Sequence, residues 1–169
     1  MITIMGEEKF KPCTRFGKKI PNYFVSASGE VYSQKSKKIL RPGVSGRNSA
    51  SGTSLTVALI ADKDVLPDYP YRRSKSKTQE RIQFSCTVHR LVMDAWKPID
   101  EYPPEQLKEC WVDLPDAAKQ WVRDTAIIDH INDNPLDNRV ENLRWVTPIQ
   151  NACHRKTYEI MDARKSSNN

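Results

Sequence analysis

Taken by its hydrophobic and polar positions, the chain shows no period over residues 1–19, and a loose lead-in is expected there. Patterned sequence begins at Pro21. Tyr23–Ser26 and Glu30–Ser33 are short strand-like runs joined by Ala27-Ser28-Gly29, a tight-turn signal. A basic turn, Lys35–Lys38, leads on to Ile39 and Leu40. Residues 43–52, GVSGRNSASG, read as a flexible loop. Thr53–Ala61 then predicts a buried strand, with Arg81–Val88 as its partner across a long excursion. His89–Trp96 predicts a short helix with Leu91, Val92, Ala95 and Trp96 on its apolar face. Pro103–Trp111 and Pro115–Arg123 read as two short helices with proline starts, and Trp111, Leu114, Trp121 and Val122 are expected to form their small core.

The most informative pattern lies from Ile127 onward. Two apolar residues, Ile127 and Ile128, lead into Asp129 and His130, and a polar loop with Pro135 inside it follows over 132–138. The alternating run Leu143–Val146 suits a half-buried strand. Thr147 stands at an N-cap position, with Pro148 at the first helical site and Gln150 three residues after the cap, so a helix is predicted to start there. Asn151 falls on that helix. The predicted unit is strand, loop, strand, helix.

Charge changes this picture. The net charge of +6 is uneven: residues 1–98 hold 18 Lys/Arg against 8 Asp/Glu, residues 99–126 hold 3 against 7, and residues 127–169 balance at 6 each. A pI near 9.2 with clustered base suits a polyanionic partner, nucleic acid before an anionic membrane. The chain has no apolar run long enough to span a bilayer and no signal-peptide pattern, so a cytoplasmic protein without a membrane partner is expected. The four cysteines, Cys13, Cys86, Cys110 and Cys153, are far apart and are expected to be reduced, partly buried thiols.

A carboxylate and a carboxamide are hard oxygen donors suited to Mg²⁺ or Mn²⁺, and an imidazole beside them titrates near neutrality and can take a proton from water. Asp129, Asn151 and His130 therefore suggest metal-assisted hydrolysis of a phosphodiester. Alone, an Asp-His pair ahead of a loop is more often a solvent-facing pair or part of a turn; the spacing and the capped helix after it favour the catalytic reading.

The run IIDHINDNPLDNRVENLRWVTPIQN also resembles the HNH nucleases, whose ββα-metal motif places Asp-His on a first strand, a central Asn, and a His or Asn on the helix. The resemblance implies that His130 is the general base, that Asp129 and Asn151 hold one divalent metal, and that Asn142 pins the loop behind His130. It leaves His154 as a ligand, a phosphate contact or a solvent-facing residue. Pro21–Pro42, with its VSASGEVYS run, resembles the DNA-contacting module found ahead of HNH domains in phage and intron-encoded homing endonucleases, and VHRLV at 88–92 extends the likeness. His89 is expected to be a packed or capping residue. Candidate DNA contacts are Lys35, Lys37, Lys38, Arg41, Arg72, Arg73, Arg90, Arg144 and Arg155.

The expected fold class is α+β. Its layout is a lead-in (1–20), a strand-rich DNA-contacting region ending in a short helix (21–96), an acidic helical insert (97–126), a ββα-metal core (127–162) and a polar tail (163–169). The expected function is cleavage of double-stranded DNA by a monomer or homodimer with one Mg²⁺ or Mn²⁺ per active site. Two other readings fit the residues: a non-catalytic DNA-binding descendant, and a nuclease directed to branched DNA or RNA.

Overall fold

A computed structural model of the chain describes residues 2–4, 8–46, 53–62, 65 and 81–153. It is an α+β protein of two compact units, Met1–Pro98 with His130–Leu143, and Ile99–Asp129 with Arg144–Asn169. The expected limits at 97–126 and 127–162 cut across these units.

In the first unit, β1 (Ile2–Ile4), β2 (Glu8–Arg15), β3 (Lys18–Ser26), β4 (Val31–Ser33) and β5 (Lys38–Ile39) form an antiparallel meander in chain order. The first two strands, and the start of the third, fall where a loose lead-in was expected. The reason is a β-bulge. Register between β2 and β3 shifts between Pro12 and Thr14, so Phe10 and Cys13, three apart in sequence, are both buried. The irregularity removes the period-two signature that would have marked the strand. Phe16 and Gly17, both at positive φ, close the β2–β3 turn.

A second sheet, β6 (Gly43–Ser45), β7 (Ser54–Asp62) and β8 (Arg81–Thr87), joins the expected strand pair through seven consecutive registered partners, Thr56↔Thr87 to Asp62↔Arg81. Strict alternation buries Val57, Leu59 and Ala61 on one strand and Ile82, Phe84 and Cys86 on the other. Helix α1 (Val88–Trp96) buries Leu91, Val92 and Met93 completely. Each such side chain contributes about 1.5–3 kcal/mol by leaving water. The indole Nε1–H of Trp96 donates to the Val25 carbonyl (3.0 Å), and Thr14 Oγ1 donates to the Asp94 carbonyl (3.0 Å), tying α1 to β2 and β3. Cys13 and Cys86 are buried free thiols, and burial pushes both up, Cys86 to about 11, so neither is a nucleophile at neutral pH.

The second unit contains α2 (Asp116–Thr125), all but the last residue of β9 (Ile127–His130), all but the first of its partner β10 (Leu143–Val146), and a helix, α3, described over 148–153. Residues 105–107 form one 3₁₀ turn, and further turns follow in place of the helix expected over Pro103–Trp111. Its hydrogen bonds close after three residues, Leu107 N–H to Pro104 O and Lys108 N–H to Glu105 O. So short a segment does not repay helix nucleation. Trp111 and Val122 are buried as expected, but Trp121 is 62% exposed. Adjacent helix positions lie about 100° apart, so burying Val122 turns Trp121 outward. At α3, Gln150 N–H donates to Thr147 Oγ1 (3.3 Å) and Thr147 N–H to Gln150 Oε1 (2.8 Å), the reciprocal capping box. Among the described residues no helix is long and apolar enough to cross a membrane.

Candidate active site

Asp129 and His130 are consecutive residues of β9, so strand geometry directs their side chains to opposite faces. The surroundings of each follow from that.

His130 opens a loop knitted together by its own short polar side chains. Asn142, on the 3₁₀ turn Val140–Asn142 and only 7% exposed, bonds across the loop mouth. Its Oδ1 accepts from Asn132 N–H (3.1 Å), and its Nδ2 donates to Asn132 Oδ1 (2.9 Å) and to the Asp137 carbonyl (2.8 Å). Ile131 N–H donates to the Asn142 carbonyl (2.9 Å), closing the base of the loop. Within it, Asn132 Oδ1 accepts from Asn134 N–H and Asn134 Oδ1 from Leu136 N–H, two successive Asx turns around Pro135. Asp133 takes φ 57°, a left-handed conformation that Asp tolerates better than most residues. Asp137 accepts from Arg139 Nε and Nη2 (2.8 Å each) and from Asn132 Nδ2 (2.8 Å). The Arg139 guanidinium, then Asn132, hold its carboxyl well below the usual range.

The ring of His130 lies within this frame. Its Nε2 is 3.0 Å from Asn138 Oδ1, and its ring meets that of His89 edge-on, with centroids 5.4 Å apart and planes at 89°. Asn138 is buried. Burial, then the neighbouring His130 and Arg90, push the His89 imidazole down to about 4, so it is neutral at physiological pH. Neither Asn138 nor this contact was foreseen. The packed role expected for His89 hid its partner, because no spacing in sequence links positions 89 and 130.

Asp129 belongs to the second unit. It lines a pocket of about 350 Å³ with Arg144, Trp145, Gln150 and Asn151 among others. Asp129 and Asn151, the two expected metal donors, thus share one cavity. Arg144 Nε and Nη2 both donate to Asp129 Oδ2, at 2.8 and 2.7 Å. The two bonds engage one carboxylate oxygen of a side chain that is 11% exposed, while Arg144 itself is 46% exposed. Two hard oxygen donors suit a divalent cation that keeps most of its waters, so the donor set fits Mg²⁺ or Mn²⁺. Among the described residues no three or more His, Cys, Asp or Glu gather as a cation-binding group, so no cage of the structural-zinc kind is found there.

The expected nucleic-acid contacts divide. Lys35, Lys37, Lys38 and Arg41 are all exposed at and around β5. Arg90 is half-buried on α1; burial disfavours its charge, and nearby Asp94 compensates. Arg72, Arg73, His154 and Arg155 lie outside the described residues.

Residues 122–153 match the family model described as HNH endonuclease. That span holds Asp129, His130, Asn142 and Asn151 together, and the chain therefore carries an HNH endonuclease motif. Over its length the fold is similar to a solved structure titled "DNA binding and cleavage by the HNH homing endonuclease I-HmuI". The TM-score is 0.52 and the identity 20%, with 95% of this chain and 66% of that one covered. At that identity the likeness is one of fold, and the chain spans just under two thirds of the length of I-HmuI. No curated protein matches the chain.

Proposed function

We propose that the chain is a divalent-metal-dependent DNA endonuclease of the HNH homing type. The observation that carries this is the matched segment 122–153, which contains the Asp-His pair and both asparagines. The pocket shared by Asp129 and Asn151 supports the assignment of the metal donors.

His130 accepts the proton of the attacking water, and Asn142 holds the loop that carries it. Asp129 and Asn151 hold one Mg²⁺ or Mn²⁺, which supplies positive charge for the scissile phosphate and the leaving oxygen. The products carry 5′-phosphate and 3′-hydroxyl ends. Lys35, Lys37, Lys38 and Arg41 contact the DNA backbone by charge, giving affinity without sequence choice, together with Arg72, Arg73, Arg90 and Arg155. Arg144 moves from Asp129 to the substrate phosphate. With one HNH motif per chain, a monomer nicks, and a double-strand break needs two copies or two successive nicks. The enzyme works in the cytoplasm of the cell that holds its target DNA.

The test is conversion of supercoiled plasmid in Mg²⁺, Mn²⁺ or EDTA, with His130→Ala as control. Open circles that need metal and vanish in the variant are expected. Salt-sensitive binding with no cutting of plasmid, branched DNA or RNA would overturn the nuclease reading in favour of a DNA-binding protein.

A further inference from the structure

The HNH motif accounts for His130 and Asn142 but not for what surrounds the His130 ring. Three observations in the first unit converge there. Asn138 Oδ1 is 3.0 Å from His130 Nε2. The His89 ring stands edge-on against the His130 ring. The third concerns the turn of the N-terminal hairpin, which lies directly behind Asn138. Val140 N–H donates to the Ala27 carbonyl (2.8 Å), and a Cβ on Gly29 would meet Asn138 Cβ and O at 3.3 Å and Val88 Cγ1 at 3.5 Å. Gly29 also takes φ +93°, so both its conformation and the space call for glycine.

We propose that Asn138 and His89 are positioning residues for His130, and that the Ala27–Gly29 turn is the brace that holds Asn138 in place. Asn138 Oδ1 accepts the Nε2–H of His130, which fixes the tautomer and leaves Nδ1 as the basic nitrogen. The perpendicular His89 ring limits rotation of the His130 ring. His89 acts by shape and not by proton transfer, in keeping with an imidazole that burial keeps neutral.

The brace is itself stiff. Ser26 is completely buried; its backbone N–H donates to the Glu30 carbonyl (2.9 Å), and its Oγ accepts from Glu30 N–H (3.0 Å). The VSASGEVYS stretch thus gains a role other than DNA contact: it supports the loop that carries the base. The other half of the Asn138 amide, Nδ2, is buried with no protein partner. One good acceptor bond to His130 is then the side chain's only protein bond among the described residues, and losing it should be felt at the ring.

The inference rests on His130 being the general base, and its test separates the two. The chain has three histidines, so ring ¹⁵N and ¹³C signals can be assigned by substitution and His130 read directly at pH 8, without any cutting assay. Native protein is expected to show the Nε2–H tautomer. Asn138→Asp, which can only accept, is expected to keep it, whereas Asn138→Leu is expected to mix the tautomers and to lower kcat by about 10²-fold with KM changed little. His89→Phe, which keeps the ring, is expected to cut within a few-fold of native, and His89→Ala to fall well below it. An Nδ1–H tautomer in native protein, or one that Asn138→Asp reverses, would overturn the role of Asn138. A His89→Phe protein as slow as His89→Ala would overturn the role of His89. If no DNA is cut while the tautomer responds as stated, the positioning stands and the nuclease reading falls.

Discussion

The loop from His130 to Asn142 and the pocket around Asp129 begin at consecutive residues yet are built on different principles. In the loop, almost every polar side chain is spent on the loop itself. Asn132, Asn134, Asp137 and Asn142 bond to one another and to backbone, and Asn138 bonds to His130. In the pocket, Asp129 is paired, among the described residues, with the half-exposed Arg144, and Asn151 shares the cavity from α3. The contrast fits the chemistry proposed for each. A base must already face its water, whereas a carboxylate that trades partners need only be held near its ion. The two arrangements are separated along the chain by one peptide bond.

The contrast can be broken most forcefully at Asn142. Removing its side chain deletes three hydrogen bonds at a nearly buried site, which costs about 3 kcal/mol at 1 kcal/mol per bond. Asn142→Ala should melt about 10 °C lower, read by circular dichroism, while Asn151→Ala should melt almost as the native protein does. Equal melting of the two variants would erase the distinction.

Acid should expose the same asymmetry more gently. An unfolded histidine takes up a proton near pH 6.5, but folded His89 resists until about 4. The unfolded state therefore binds more protons in that window, so the stability of the first unit declines as pH falls from 6.5 to 4 and levels off below. The loss is about 3 kcal/mol at most. In denaturant melts across that range the native protein should lose stability and His89→Phe should lack this part of the decline; the same slope in both would show that His89 is not responsible.

The smallest effect is expected in the pocket. An ion pair this exposed contributes little, up to about 1 kcal/mol. Arg144→Met should leave the melting temperature nearly unchanged and tighten Mn²⁺ binding in the absence of DNA by a few-fold, since a competing cation is gone. Weaker Mn²⁺ binding in titration calorimetry would show instead that Arg144 holds Asp129 in its binding pose.

Much of this was legible in sequence where local chemistry decides structure. Thr147, Pro148 and Gln150 announced the start of α3 through a cap that needs no distant partner. The apolar run of β7 and its expected partner β8 could be read as strands despite the long segment between them. What stayed hidden depends on tertiary context. The bulge at Pro12–Thr14 broke the period of β2, and nothing local to 103–111 said that the chain would turn at every third residue. The outward turn of Trp121 followed from Val122 taking the inward place. At the site, Asp129, His130, Asn142 and Asn151 share one motif and could be read together. Asn138, His89 and Gly29 could not, because only folding brings positions 29, 89, 130 and 138 into one cluster.

The most direct measurement is Mn²⁺ binding by His130→Ala and Asp129→Ala, followed by titration calorimetry beside the plasmid assay. His130→Ala is expected to bind Mn²⁺ as the native protein does and to cut no DNA, while Asp129→Ala is expected to lose both. A His130→Ala protein that no longer binds the ion, or an Asp129→Ala protein that still does, would contradict the division of labour between the loop and the pocket.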